Sequence, residues 1–186
     1  MKRIFITVPI TLFLLFSLAT GVLFADDPYQ LLRQPSDGFS QVLPGKTSDF
    51  PRDHYPHKKF KIEWWYLTGN LESRNGDEYG VHWTLFRQAM NPNSNSSGWQ
   101  SNQTWMAHAA MSTPQGFSFS QRFARGGIGQ AGVSNLSHDA TFEAWIDDWT
   151  WQSESQSPFP ARLSASTEGG TFDLSLEAKS GWVLQG

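Results

Sequence analysis

The sequence predicts an all-β protein of short antiparallel strands, and three observations carry that prediction. Aromatic residues are abundant, with nine Trp, fourteen Phe and four Tyr making 15% of the chain, and such side chains suit pleated, half-buried surfaces. Short runs alternate between apolar and polar residues, and clusters of Gly, Pro, Asn and Ser separate them, the punctuation of hairpins. No long stretch of helical periodicity follows residue 25. Seven strands joined largely by hairpins, with aromatic residues on two faces, point to an antiparallel meander closing into a barrel or a curved sandwich.

The first 25 residues read as a signal peptide. Lys2 and Arg3 form a positive start, Ile4 to Phe16 is apolar apart from Thr7, Pro9 and Thr11, and Ser17 to Ala25 is small and apolar. No second apolar span follows and no cysteine is present. The expectation is therefore cleavage near Ala25, a periplasmic or secreted product, and no stable membrane span afterwards. Losing Lys2 and Arg3 moves the formal charge from −3 to −5, and a mildly acidic chain without a basic run argues against nucleic acid. The absence of cysteine rules out a disulfide framework, a thiolate metal site and a thiol nucleophile. Residues 26–48, broken by Pro28, Pro35, Pro44 and Gly45, read as an irregular arm, and residues 49–186 as one domain of ordinary size.

Within that domain the first strand is Lys61 to Glu72 and the second Glu78 to Gln88, joined at Asn75-Gly76, the strongest short hairpin signal. With Asn75 and Gly76 as the two central residues, Trp65 faces Phe86, Trp64 faces Arg87, and Gly69 faces His82. That pairing puts Trp64, Tyr66, Trp83 and Leu85 on one side and Trp65, Leu67 and Phe86 on the other, two apolar faces on what reads as a central hairpin. Asn91 to Asn102 is a polar loop. Thr104 to Ser112 is the third strand, with Trp105, Ala107, Ala109 and Met111 on one face and Met106, His108 and Ala110 on the other. In the fourth strand Phe117, Phe119, Gln121 and Phe123 alternate with Ser118, Ser120 and Arg122. The Gly-rich run Arg125 to Gly132 lacks the Gly-Lys-Ser/Thr ending of a phosphate loop and no helix follows it, so it reads as a crossing segment. Thr141 to Trp151, Ala161 to Thr167 and Thr171 to Ala178 complete the set. Polar outer faces on the fourth and seventh strands argue against an outer-membrane barrel, which presents a continuous apolar band to lipid.

Asp49-Phe50-Pro51-Arg52-Asp53, Glu63-Trp64-Trp65-Tyr66 with Thr68-Gly69-Asn70, and Thr84-Leu85-Phe86-Arg87 resemble the start of the hydroxyneurosporene synthase or carotenoid 1,2-hydratase family, whose members are also called AttH-like proteins. Ala107-His108-Ala109-Ala110, Arg122-Phe123-Ala124-Arg125, Gly129-Gln130-Ala131-Gly132, Trp149 and Val183-Leu184-Gln185-Gly186 continue the match in order. The resemblance implies two lipocalin-like β-barrel domains, of which residues 49–186 are the first, the second being absent from this sequence and its own natural partner. It also implies a hydrophobic small-molecule ligand, polyene, isoprenoid or lipid-like, and a hydro-lyase activity that adds water to a terminal carotenoid double bond without cofactor or metal.

Hydration of an isolated alkene needs an acid strong enough to protonate carbon, and aromatic faces to stabilise the cation. A carboxyl group kept protonated by apolar surroundings supplies such a proton. Glu63, beside Trp64 and Trp65, is the catalytic candidate, and Asp147, between Trp145 and Trp149, a weaker one. The competing reading pairs Glu63 with an arginine in a buried network. Trp64, Trp65, Tyr66, His82, Trp83, Arg87 and His108 are the candidate binding residues, each with a packing role as the alternative. The histidine spacings do not make a metal site. Three classes of function stand: a ligand-binding hydratase or isomerase, a non-catalytic carrier of lipid or pigment, and a glycan-binding β-sandwich with its Trp exposed in a flat row.

Overall fold

In the computed structural model, residues 36–92 and 97–184 are described. The signal-peptide reading and residues 26–35 of the N-terminal arm lie outside them, as do part of the loop after Asn91 and the last two residues. Asp37 to Thr47 is irregular. Nine strands follow: β1 (Ile62–Glu72), β2 (Glu78–Ala89), β3 (Gln103–Thr113), β4 (Gly116–Arg125), β5 (Ala131–Val133), β6 (Glu143–Ile146), β7 (Trp149–Ser153), β8 (Ala161–Thr167) and β9 (Gly170–Leu176). All neighbours pair antiparallel.

The strands form two sheets, β1-β2-β3-β4 and β5-β6-β7-β8-β9. The antiparallel all-β expectation stands, but the sheets do not join into a closed barrel. Chain neighbours β4 and β5 lie in different sheets, and β1 and β9 are each an edge, so the first hairpin is not central. The sheets pack face to face. Their shared core holds Trp83, Leu85, Trp105, Ala107 and Ala109 from the first sheet with Ala144, Ile146, Trp149, Trp151, Leu163 and Phe172 from the second. Trp83 meets Trp151 edge-on with ring centroids 5.9 Å apart.

The turn after β1 corrects the predicted register. Gly76 N–H donates to the Ser73 carbonyl at 3.0 Å and Ser73 N–H to the Asp77 carbonyl at 2.8 Å, while Ser73 Oγ accepts from the N–H groups of Asn75 and Asp77. Gly76 takes φ 87°, the left-handed position of a three-residue loop over Arg74, Asn75 and Gly76. One extra loop residue slides the pairing by one position. Trp64 therefore faces Phe86, Glu63 faces Arg87, and Thr68 faces His82. A one-residue slip exchanges faces: Trp65, Leu67, Trp83 and Leu85 turn to the core, and Trp64, Tyr66 and Phe86 turn outward. The predicted contact of Arg87 with Trp64 is replaced by an ion pair with Glu63.

Three further expectations change. Thr141 to Trp151 is not one strand, because Asp147 (φ 53°) and Asp148 turn the chain between β6 and β7. Aspartate tolerates that backbone better than most residues, and Arg122 holds Asp148 while Gln130 holds Asp147. Asp147 is thus a turn residue and not a carboxylate between two indoles. The Gly-rich run ends in the first two residues of β5. In β4 the orientation is the reverse of that assumed: Phe117, Phe119 and Phe123 are exposed. Arg122 instead turns inward, 4.2 Å over the Trp149 ring, and Ser118 bonds Thr167 at 2.8 Å. The fourth strand's outer face is therefore aromatic, and it no longer argues against contact with lipid. No helix among the described residues is long and apolar enough to cross a membrane, which leaves strands out of account.

Candidate functional site

The corrected register assembles the site on the outer face of the first sheet. Four rungs run across its strands: Trp64–Phe86–Met106–Phe123, Tyr66–Thr84–His108–Gln121, Thr68–His82–Ala110–Phe119 and Asn70–Gly80–Ser112–Phe117. At a strand spacing of about 4.8 Å and a rise of about 3.4 Å per residue, these rungs cover roughly 14 Å by 20 Å. None of the rung positions is Asp, Glu, Lys or Arg. Trp64, Tyr66, Phe117, Phe119 and Phe123 are 57%, 58%, 67%, 58% and 63% exposed. An exposed apolar sheet face of that extent marks an interaction surface.

The polar groups sit in the middle of this face. His82 bridges two hydroxyls, Nδ1 lying 2.9 Å from Thr68 Oγ1 and Nε2 2.6 Å from Thr84 Oγ1. His108 lies edge-on to Phe86 at 5.8 Å, and burial, helped by the nearby His82, holds its pKa below the usual imidazole value. The centre of the face is thus a pair of imidazoles with hydroxyl and amide neighbours, framed by aromatic rings.

Around the β1 edge, Trp64 and Tyr66 also line an aromatic cleft of about 450 Å³ with Trp65, Trp151, Phe159 and Trp182. His54 lines it too, its ring 4.4 Å from Phe50 and 4.6 Å from Trp182. Burial lowers the His54 pKa, and nearby Asp53 only partly opposes this.

The predicted residues divide between the two faces. Trp64, Tyr66, His82 and His108 meet on the outer face. Glu63, Trp65, Trp83 and Arg87 point inward. Glu63 accepts the His57 N–H on both oxygens at 2.9 Å, lies 2.8 Å from His57 Nδ1, and accepts Arg87 Nε–H at 2.8 Å. Arg87, buried at 1% exposure, also donates to Gln103 and to the carbonyls of His57 and Phe60. On its other side His57 reaches Asp53 at 3.1 Å. Burial pushes the Asp53 pKa up, but the Asp49 N–H, His57 and Lys46 outweigh it and hold the carboxyl below its ordinary value. The His57 N–H and the Arg87 Nε–H both donate to Glu63, so the side chain serves as an acceptor that ties the Asp53–Phe60 segment to the sheet. Trp65 Nε1–H donates to the His54 carbonyl at 2.8 Å, which anchors the same segment. Trp83 is fully buried, and its Nε1–H has no partner among the described residues.

Sequence reasoning missed Thr84, Gln121 and Phe119 on the face, and Trp151, Phe159 and Trp182 in the cleft. Thr84 follows from the register once the turn is read correctly, Gln121 and Phe119 depend on the partners that turn Ser118 and Arg122 of β4 inward, and the cleft residues come from distant segments and carry no local signal. No group of three or more His, Asp or Glu among the described residues could hold a metal ion.

Comparison with known proteins agrees with this architecture. Residues 41–186 match the AttH-like family model. A crystal structure from Nitrosomonas europaea, described as an AttH candidate, is 32% identical and superposes with a TM-score of 0.57 over 73% of this chain and 39% of its own. This chain therefore spans well under half the length of that protein. No curated protein matches it. With a family match over most of its length and a superposition onto that structure at 32% identity, the chain belongs to the AttH-like family.

Proposed function

We propose that this protein is an exported, lipocalin-like member of the family that binds a hydrophobic small molecule, polyene, isoprenoid or lipid-like, against the outer face of its first sheet. The observation that carries this reading is the uncharged centre of that face, four rungs of aromatic and neutral residues around two imidazoles. Apolar walls with a few convergent polar groups are what ligand sites of this kind need. The aromatic cleft at the β1 edge extends the surface available to an elongated ligand. The pattern of residues 1–25 supports export to the periplasm or beyond. In longer family members the natural partner of this half is a second lipocalin-like domain.

Carriage is favoured over hydration by the position of the carboxylates. Protonating an alkene carbon needs a strong acid at the ligand, yet Glu63 points to the opposite side of β1 and none of the four rungs carries a carboxyl group, Glu72 and Glu78 lying beyond them at the hairpin end of the face. A hydratase or isomerase on this face would have to work through Tyr66 and the imidazoles. A glycan platform also shows exposed rings, but it pairs them with charged hydrogen-bonding groups, and here the charged residues of this face, Glu72, Glu78 and Arg125, stand at its two ends and outside the four rungs.

Tryptophan fluorescence tests the reading directly. Retinol should quench in a saturable manner, and Trp64→Ala combined with Phe119→Asp should weaken it at least tenfold without loss of fold, since both positions are exposed. Binding of neutral oligosaccharides with no response to retinol would overturn the proposal in favour of a glycan module.

A further inference from the structure

The Gly-rich run that resembles no phosphate loop has a structural consequence at the opposite side of the core. It forms one wall of a second cleft, of about 320 Å³, whose other walls include Lys58, Arg87, Gln103, Trp105 and Trp145. The glycines keep that wall thin. A Cβ on Gly132 would lie 2.9 Å from two carbons of the Trp145 ring, so the strand lies flat on the indole. Gly127, at φ 85°, packs where a Cβ would come within 2.4 Å of the Gly98 carbonyl. Trp145 Nε1–H donates to the Gly129 carbonyl at 2.9 Å, which fixes the ring at the cleft.

The charge on this lining is one-sided. It contains Lys58 and Arg87 and no Asp or Glu, although acidic residues outnumber basic ones in the chain as a whole. Lys58 makes no hydrogen bond or ion pair among the described residues. Arg87 is more telling. A guanidinium has five N–H donors, and here Nε donates to Glu63, Nη1 to Gln103 and Nη2 to the carbonyls of His57 and Phe60. The second Nη1–H has no acceptor among the described residues, on a side chain that is 1% exposed and lines the cleft. A buried charged donor left without an acceptor is costly, and an anion entering the cleft would supply one.

We propose that this cleft binds a small planar organic anion, an aromatic ring bearing a carboxylate or sulfonate. Its flat body lies against Trp105 and Trp145, and its anionic group accepts from Arg87 Nη1 and pairs with Lys58. Such a ligand differs from that of the outer face in charge, size and location, and the proposal does not depend on the outer face binding anything.

The test uses 2-naphthoate and its uncharged isostere 2-naphthamide, followed by calorimetry at low ionic strength. Naphthoate should bind at least tenfold more tightly than the amide, and the difference should shrink with added salt as a partly screened charge contact does. Lys58→Ala, at an exposed position, should lower naphthoate affinity several-fold and Lys58→Glu further, with the amide unaffected. Trp145→Phe should weaken both ligands. Trp64→Ala with Phe119→Asp should change neither, which separates failure of this site from failure of the other. Equal affinity for acid and amide, indifference to Lys58→Glu, or loss of binding only in the outer-face variant would each overturn the proposal.

Discussion

Replacing Glu63 by Gln is the sharpest test of how the first sheet is held to the segment before it. The change keeps shape and volume, so no cavity confuses the result. It converts one of two acceptor oxygens into an amide donor, and both oxygens face donors, with His57 N–H at 2.9 Å from each and Arg87 Nε–H at 2.8 Å from Oε2. Whichever way the amide turns, one donor meets another. The substitution also removes the negative charge beside a guanidinium that is 1% exposed. Breaking a buried ion pair by removing one partner typically costs about 3–5 kcal/mol. Because the Glu63 side chain retains 15% exposure, the lower end applies, about 3 kcal/mol. With a urea m-value of about 2 kcal/mol/M for a domain of this size, the unfolding midpoint should fall by about 1.5 M. Arg87→Met should also destabilise, and the double variant should cost at least about 1 kcal/mol less than the two single changes together, because each single change strands the group that the other removes. The assay is urea unfolding followed by tryptophan fluorescence. A midpoint shift below about 0.3 M for Glu63→Gln, or simple additivity in the cycle, would refute the network as the anchor.

Three other outcomes follow from the packing and the titrating groups. Gly132→Ala places a methyl 2.9 Å from the Trp145 ring and should cost about 1–2 kcal/mol by overpacking, read as a lowered Tm. Trp149→Phe should cost about 1–2 kcal/mol more than Trp83→Phe, because Trp149 Nε1–H bonds Ser166 Oγ at 3.0 Å and its ring carries Arg122, whereas the Trp83 N–H is already without a partner among the described residues. His54 and His108 both have pKa values lowered by burial, so between those values and the unfolded value of about 6.5 the unfolded chain binds more protons. Stability should therefore rise with pH through that window and fall as pH drops below about 6.5. The double variant His54→Gln with His108→Gln should flatten Tm between pH 5 and 6.5, and an unchanged slope would count against burial as the cause.

The strands themselves were largely legible, because alternation and turn residues are local properties. Six of the seven predicted strands have counterparts with boundaries shifted by a residue or two; Thr141 to Trp151 divides at Asp147-Asp148, where partners from β4 and the Gly-rich run stabilise a turn that lacks Asn-Gly. What was not legible was which side of each strand faces the core. That choice is collective. In β4 alternation alone favours burying the phenylalanines, yet Ser118, Ser120 and Arg122 turn inward because the second sheet offers Thr167, Asp148 and the Trp149 ring as partners. In β1 the decision rests on one loop residue, since a loop centred on Asn75-Gly76 alone and one that also includes Arg74 place opposite sets of residues in register.

That single shift changes what Glu63-Trp64-Trp65-Tyr66 means. On a strand the four residues cannot act together, because neighbours point to opposite sides. Glu63 and Trp65 go inward, where one holds Arg87 and His57 and the other donates to the His54 carbonyl. Trp64 and Tyr66 go outward and form the edge of a face, uncharged at its centre, that also bends into the aromatic cleft. The inward pair fixes the strand in place, and the fixed strand presents the outward pair at the start of the rungs that cross β2, β3 and β4. An assay on Glu63 therefore reads the rigidity of the platform, while only changes at Trp64 and Tyr66, or along their rungs, read what the platform holds.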